Sequence, residues 1–134
     1  MDEKKQPGIH FKNVIVKDLS FSREPAVIDN CQLDFKFGCQ KSISEDRKKL
    51  VVLLEGSVKA ESSFDIKCSV IGFFEIDDEA KNMSLEQFAE DNAPALLFPY
   101  LREVISTTTL KAGMNPVFLP PINIRAYLKA LKKE

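Results

Sequence analysis

Between residues 9 and 76 the apolar positions recur at every second residue, the period of a half-buried strand. Phe11, Asn13, Ile15, Lys17, Leu19 and Phe21 share one parity, so the first strand should turn its apolar members to one face. Arg23-Glu24-Pro25 interrupts it. A second strand carries Cys31, Leu33, Phe35, Phe37 and Cys39 on one face and Gln32, Asp34 and Lys36 on the other. The polar run from Gln40 to Lys49 leads into Leu50-Val51-Val52-Leu53-Leu54, which alternates on to Ala60. Glu61-Ser62-Ser63 is short and polar, which predicts a hairpin into a fourth strand with Phe64, Ile66, Cys68, Val70, Phe74 and Ile76 on one side. Four strands with short links predict an antiparallel sheet, and its two wide faces need cover from elsewhere.

The period changes after residue 84. Ser84, followed three residues on by Gln87, forms a capping-box pattern ahead of a short helix ending near Glu90. Asn92 and Pro94 start a second helix, since proline is tolerated in a first turn. Pro99 removes the bond to the Ala95 carbonyl and predicts a kink. On a helical wheel Leu96, Leu97, Phe98, Tyr100, Leu101, Val104 and Ile105 cover an arc of about 200°, roughly twice what one core contact needs. The excess predicts a second partner besides the sheet, here a second copy of the chain. Gly113 suits the position just past the helix end. Residues 114–121 form an apolar, proline-rich loop containing Val117, Phe118 and Leu119. Asn123 caps a last helix with Ile124, Tyr127, Leu128 and Leu131 on one face and Arg125, Lys129, Lys132 and Lys133 on the other. Those apolar residues serve either as core or as one wall of a groove.

Composition narrows the function. The 134 residues suit one domain, and 44% apolar with 29% charged residues is ordinary globular composition. The 19 basic and 20 acidic side chains nearly cancel, which argues against nucleic acid as the main partner. No apolar run reaches the roughly 18 residues that predict a membrane span, so no membrane insertion is expected. Met1-Asp2-Glu3-Lys4-Lys5-Gln6 lacks the pattern of a signal peptide, so a cytosolic protein is expected. Three cysteines without a CxxC pair, and His10 as the single histidine, do not make a zinc site. The thiols instead share parity with apolar strand residues and read as small buried hydrophobes. No nucleophile elbow, phosphate loop, dinucleotide fingerprint or HExxH motif occurs. Asp77-Asp78-Glu79 reads as a solvated turn. No catalysis and no cofactor are expected.

Four segments carry a family resemblance. Asn92-Ala93-Pro94-Ala95-Leu96-Leu97-Phe98-Pro99-Tyr100-Leu101-Arg102-Glu103-Val104-Ile105-Ser106 resembles the LFPYxRExIS signature of the SecB export chaperones. Leu119-Pro120-Pro121-Ile122-Asn123 is similar to the family's loop before its last helix. Lys17-Asp18-Leu19-Ser20-Phe21 resembles its first-strand KDxSF element, and Ile71-Gly72-Phe73-Phe74 its fourth-strand GxF segment. The resemblance implies an α+β protomer, a four-stranded antiparallel sheet followed by two helices, assembling as a dimer of dimers. It implies an ATP-independent holdase for unfolded or non-native polypeptides.

Carried over by position, the client groove would use Leu33, Phe35, Phe37, Val117, Phe118, Leu119, Tyr127 and Leu128. The helix arc assigns Tyr100, Leu101, Val104, Ile105 and Thr108 to an interface between copies of the chain, which the resemblance implies is that of a homotetramer. Asp18 is the candidate for docking a partner such as the SecA motor. Family members that deliver to SecA carry an acidic C-terminal tail and a carboxylate near Lys67. This chain instead ends Lys129-Ala130-Leu131-Lys132-Lys133-Glu134. Export is therefore one expectation, and protection of an antitoxin by a SecB-like chaperone is the other. Outside the family stand a homo-oligomeric interaction module without chaperone activity and a small-ligand carrier.

Overall fold

The computed structural model describes residues 8–26, 32–77, 84–120 and 122–132. The expectations attached to residues 1–6, Cys31, Asp78, Glu79, Pro121, the Lys132 side chain, Lys133 and Glu134 lie outside the described residues. Four strands form one antiparallel sheet: β1 (Ile9–Arg23), β2 (Leu33–Ile43), β3 (Lys49–Ala60) and β4 (Phe64–Ile76). Their order is β1-β4-β3-β2, a Greek key in which β2, β3 and β4 form a meander and β1 returns beside β4. Three helices follow: α1 (Leu85–Asp91), α2 (Ala93–Lys111) and α3 (Ile124–Lys132).

Local chemistry explains the boundaries. The β3–β4 turn closes in three residues with the Ser63 N–H donating to the Ala60 carbonyl, as the polar tripeptide predicts. Ser84 caps α1, accepting from the Gln87 N–H at 3.1 Å, and Asn123 caps α3 through the Ala126 N–H at 3.0 Å. Gly113, at φ 79°, ends α2 in a Schellman motif. Its N–H bonds the Leu110 carbonyl, and the Met114 N–H reaches back to Thr109. Arg23 completes that terminus by donating to the Ala112 carbonyl at 2.6 Å, a cation where the helix dipole favours one. Helix α2 runs unbroken through Pro99. Ala95, whose carbonyl loses its partner there, is exposed, so water can serve it.

The first strand departs from simple alternation. Lys12 and Lys17 each fall in a bulge, skipped in the pairing with β4. Each bulge reverses parity. Phe11, Val14, Val16, Leu19 and Phe21 therefore share the helix-bearing face, while Asn13 and Ile15 turn to the open face, contrary to the alternation expected from sequence.

All three helices sit on one face of the sheet. There α2 lies across β3 and β4, and α3 lies against β2 and α2. The core joins Leu50, Val52, Leu54, Val58, Ile66, Val70 and Phe74 of the sheet to Leu97, Leu101 and Ile105 of α2. Close approach requires glycine at two points. A Cβ on Gly72 would stand 2.6 Å from Leu97 Cδ2, and one on Gly56 would stand 2.8 Å from Leu101 Cδ2. Both leucines are fully buried and have little room to yield. Gly72→Ala and Gly56→Ala should each lower the denaturant midpoint by the equivalent of about 1–3 kcal/mol at unchanged m-value, the usual cost of overpacking. Unchanged midpoints would mean that the helix–sheet gap is looser than this packing.

Candidate functional site

The apolar flank beside β2 is built from a loop, a helix and a strand edge. Thr109, wholly buried, donates to the Ile105 carbonyl and accepts from the Val117 N–H at 2.9 Å. An unpaired N–H there would cost about 1–3 kcal/mol. This hydroxyl fixes the loop so that Val117 and Leu119 enter the core, and Phe118 between them is 70% exposed. On β2, Phe37 is buried, its ring edge-on to Phe98 and Tyr127 at 5.7 and 5.4 Å. Leu33, Phe35, Tyr127 and Leu128 are half-buried at the margin of the core.

The candidate groove residues thus divide. Phe37, Val117 and Leu119 are spent on the core, while Leu33, Phe35, Phe118, Tyr127 and Leu128 keep accessible surface. Cys68, also buried, has its thiol pushed up to about 11 by desolvation, with the Asp18 charge adding to it, which makes it unreactive. Cys39 is half-buried. Among the described residues no three His, Cys, Asp or Glu side chains gather as a metal-holding group.

The wide arc of α2 divides in the same way. Leu97, Phe98, Leu101, Ile105 and Thr109 face the sheet and are buried within one chain. Leu101 and Ile105, assigned above to an interface between chains, therefore have no surface left to offer. Leu96 and Tyr100 are exposed on the outer arc, and Val104 and Thr108 are half-buried. Tyr100 meets Phe11 of β1 edge-on at 5.8 Å. Beyond it Val16 and Leu19, each 48% exposed, continue the apolar surface along the uncovered part of β1.

The open face of the sheet is banded. Read across the strands, Asn13, Phe73, Val51 and Ser42 form one row, and Ile15, Ile71, Leu53 and Gln40 the next. Asp18, Ser69, Glu55 and Gly38 form an acidic row, and Ser20, Lys67, Ser57 and Lys36 a basic one. The two charged rows line a shallow trough of about 500 Å³. Asp18 is exposed, and Lys17 first and then the Ser69 hydroxyl hold its carboxyl below the usual carboxylate range. Sequence reading singled out Asp18 and Lys67 but missed Glu55 and Lys36, because the rows exist only once the register is known.

An α+β chain with a one-sided sheet, two apolar surfaces and a banded open face is the class of protein these features define. Comparison with known proteins agrees. The family described as "Preprotein translocase subunit SecB" matches residues 2–134. The protein-export protein SecB of Nitrosospira multiformis is 30% identical over 145 aligned positions, covering 99% of this chain and 88% of that one. An uncharacterized protein of Methanocaldococcus jannaschii is 32% identical over 134 positions, covering 94% and 86%. The fold is similar to that of a SecB-like chaperone from Mycobacterium tuberculosis, solved in complex with a ChAD peptide from the HigA1 antitoxin. That likeness has a TM-score of 0.71 at 14% identity, covering 86% of this chain and 88% of that one. This chain belongs to the SecB family.

Helix α3 is tied to the rest of the chain through Asp91, which accepts from Arg125 Nε at 3.1 Å and Lys129 Nζ at 3.2 Å. Desolvation raises the Asp91 carboxyl, but Lys129 and Arg125 together outweigh it and hold it below its ordinary value. A depressed folded value means that the pairing is fully present above the ordinary carboxylate pKa of about 4 and is lost as pH falls through the folded one. Hydrogen exchange should therefore show α3 losing protection in acid before β3 and β4 do, and Asp91→Asn should remove that pH step. A simultaneous loss in all elements would count against this tie.

Proposed function

We propose that the protein is an ATP-independent holdase that keeps non-native polypeptides soluble for protein export. The observation that carries this reading is Phe118, a large aromatic held in water by two buried neighbours and a buried threonine. Leu33, Phe35, Tyr127 and Leu128 are half-buried at the margin of the same core, and these five side chains are the proposed client contacts. Holding an unfolded chain is a matter of small margins. Burying one large apolar side chain yields roughly 1.5–3 kcal/mol, while fixing one backbone residue costs about 1–2 kcal/mol. One patch barely breaks even, and several joined patches gain through effective concentration.

Joining them is the proposed role of assembly. Leu96, Tyr100, Val104 and Thr108 on α2, with Val16 and Leu19 of β1, form the proposed interface of a homotetramer arranged as a dimer of dimers. Leu101 and Ile105 support it from within. Tyr100→Asp with Val104→Asp should reduce the mass by light scattering while circular dichroism stays unchanged. A tetramer that survives both substitutions places the interface elsewhere.

The client surface is tested by separating contact from core. Phe118→Ser should weaken binding of a denatured protein about tenfold, as expected for losing one large apolar contact, and leave the unfolding midpoint unchanged. Phe37→Ser should instead unfold the chain. Unaltered binding by the Phe118 variant would refute the assigned surface.

The basic row favours a second reading, protection of an antitoxin rather than delivery to SecA. Lys67 and Lys36 lie beside Asp18 and Glu55, where a basic docking partner would be repelled. Calorimetry against SecA of the same organism decides. Weak or undetectable binding supports the antitoxin reading, whereas tight, salt-sensitive binding returns the protein to ordinary export.

A further inference from the structure

The two rims of the sheet are built differently. β1 is broken by bulges at Lys12 and Lys17, and bulges and lysines blunt an edge against another strand. β2 pairs with β3 from Leu33 to Ile43 without a shift. The pairing phase follows from Ser44, whose N–H bonds the Lys49 carbonyl at 3.0 Å. Counting back by twos, the even-numbered residues of β2 face β3, so Leu33, Phe35 and Phe37 turn their N–H and C=O groups outward. Phe37 agrees with this phase, its N–H donating outward to the Tyr127 hydroxyl at 3.3 Å. Leu33 and Phe35 show no such outward partner among the described residues.

We infer that the outer edge of β2 over residues 33–37 is a strand-addition site for an extended polypeptide segment with apolar residues at alternate positions, and that the Tyr127 hydroxyl is its latch. This rests on the holdase reading and deepens it. An added strand carries alternate side chains onto the helix-bearing side, beside Leu33 and Phe35, where apolar residues fit. The intervening ones lie beside Asp34 and Lys36 on the open side, where a basic and an acidic residue respectively complement the charge. Backbone pairing holds any sequence, and the alternation selects among them. To reach the Phe37 N–H, the client must displace the Tyr127 hydroxyl, whose ring can stay packed on Phe37.

Backbone N-methylation separates strand addition from side-chain contact. Three synthetic peptides of one alternating apolar sequence are compared on the full chain: unmodified, methylated on the amides of one edge, and methylated on those of the other. Pairing along β2 predicts that one methylated isomer loses about tenfold or more in affinity, several hydrogen bonds' worth, while the other binds like the parent. Tyr127→Phe should bind the parent peptide about two- to tenfold tighter, since it frees one N–H, and should speed hydrogen exchange at the Phe37 amide. If both isomers bind like the parent, strand addition is overturned and the holdase reading stands, with the client held by side chains alone. If the parent itself does not bind, the inference falls, and the holdase reading falls with it only if a denatured whole protein is not held either. Unchanged or weaker peptide binding by the Tyr127 variant overturns the latch.

Discussion

The contact on which the rest of the structure depends is the close approach of α2 to β3 and β4 over Gly56 and Gly72. With no Cβ at either position, Leu97 and Leu101 sink onto the strand backbones and are fully buried. That depth commits one arc of the helix and one face of the sheet to each other. It also decides what remains uncovered. A single helix seated over the two central strands cannot cover β1, and the outer arc of α2 cannot turn inward, so Val16, Leu19, Leu96 and Tyr100 stay at the surface.

The flank beside β2 follows a parallel logic. Arg23 and the Schellman turn at Gly113 stop α2, and Thr109 then catches the loop eight residues later through the Val117 N–H. With Val117 and Leu119 anchored in the core on either side of it, Phe118 is left facing water. The exposure of that ring is thus a consequence of buried hydrogen bonding rather than of loose packing. A rigidly presented aromatic loses little entropy when it is covered, which suits the client surface proposed above.

Much of this was legible in the chain. Period-two and helical patterning located four strands and three helices, and Ser84, Asn123 and Gly113 marked three helix ends correctly. The antiparallel sheet and the SecB family membership followed from the same residues. Three features escaped for physical reasons. Bulges at Lys12 and Lys17 shift parity without altering composition, so Ile15 was assigned to the wrong face. The bands of the open face depend on register, which turn geometry and pairing fix. The division of the α2 arc was visible only as an excess, since helical phase says which residues are neighbours and not which of two partners they meet. Thr109 did carry a signal, because it falls about 20° from Phe98 on the wheel, yet its hydroxyl kept it off the apolar arc.

The central claim is that exposed apolar surface is what this chain offers its proposed clients. The most direct test dilutes a chemically denatured protein from guanidinium into buffer and follows its turbidity with and without this protein at equal concentration, in the presence and absence of ATP. The account predicts that turbidity is suppressed to the same extent with and without nucleotide, with the denatured protein recovered in a soluble complex. Turbidity that rises as fast as in buffer alone, or suppression that appears only with ATP, would contradict it.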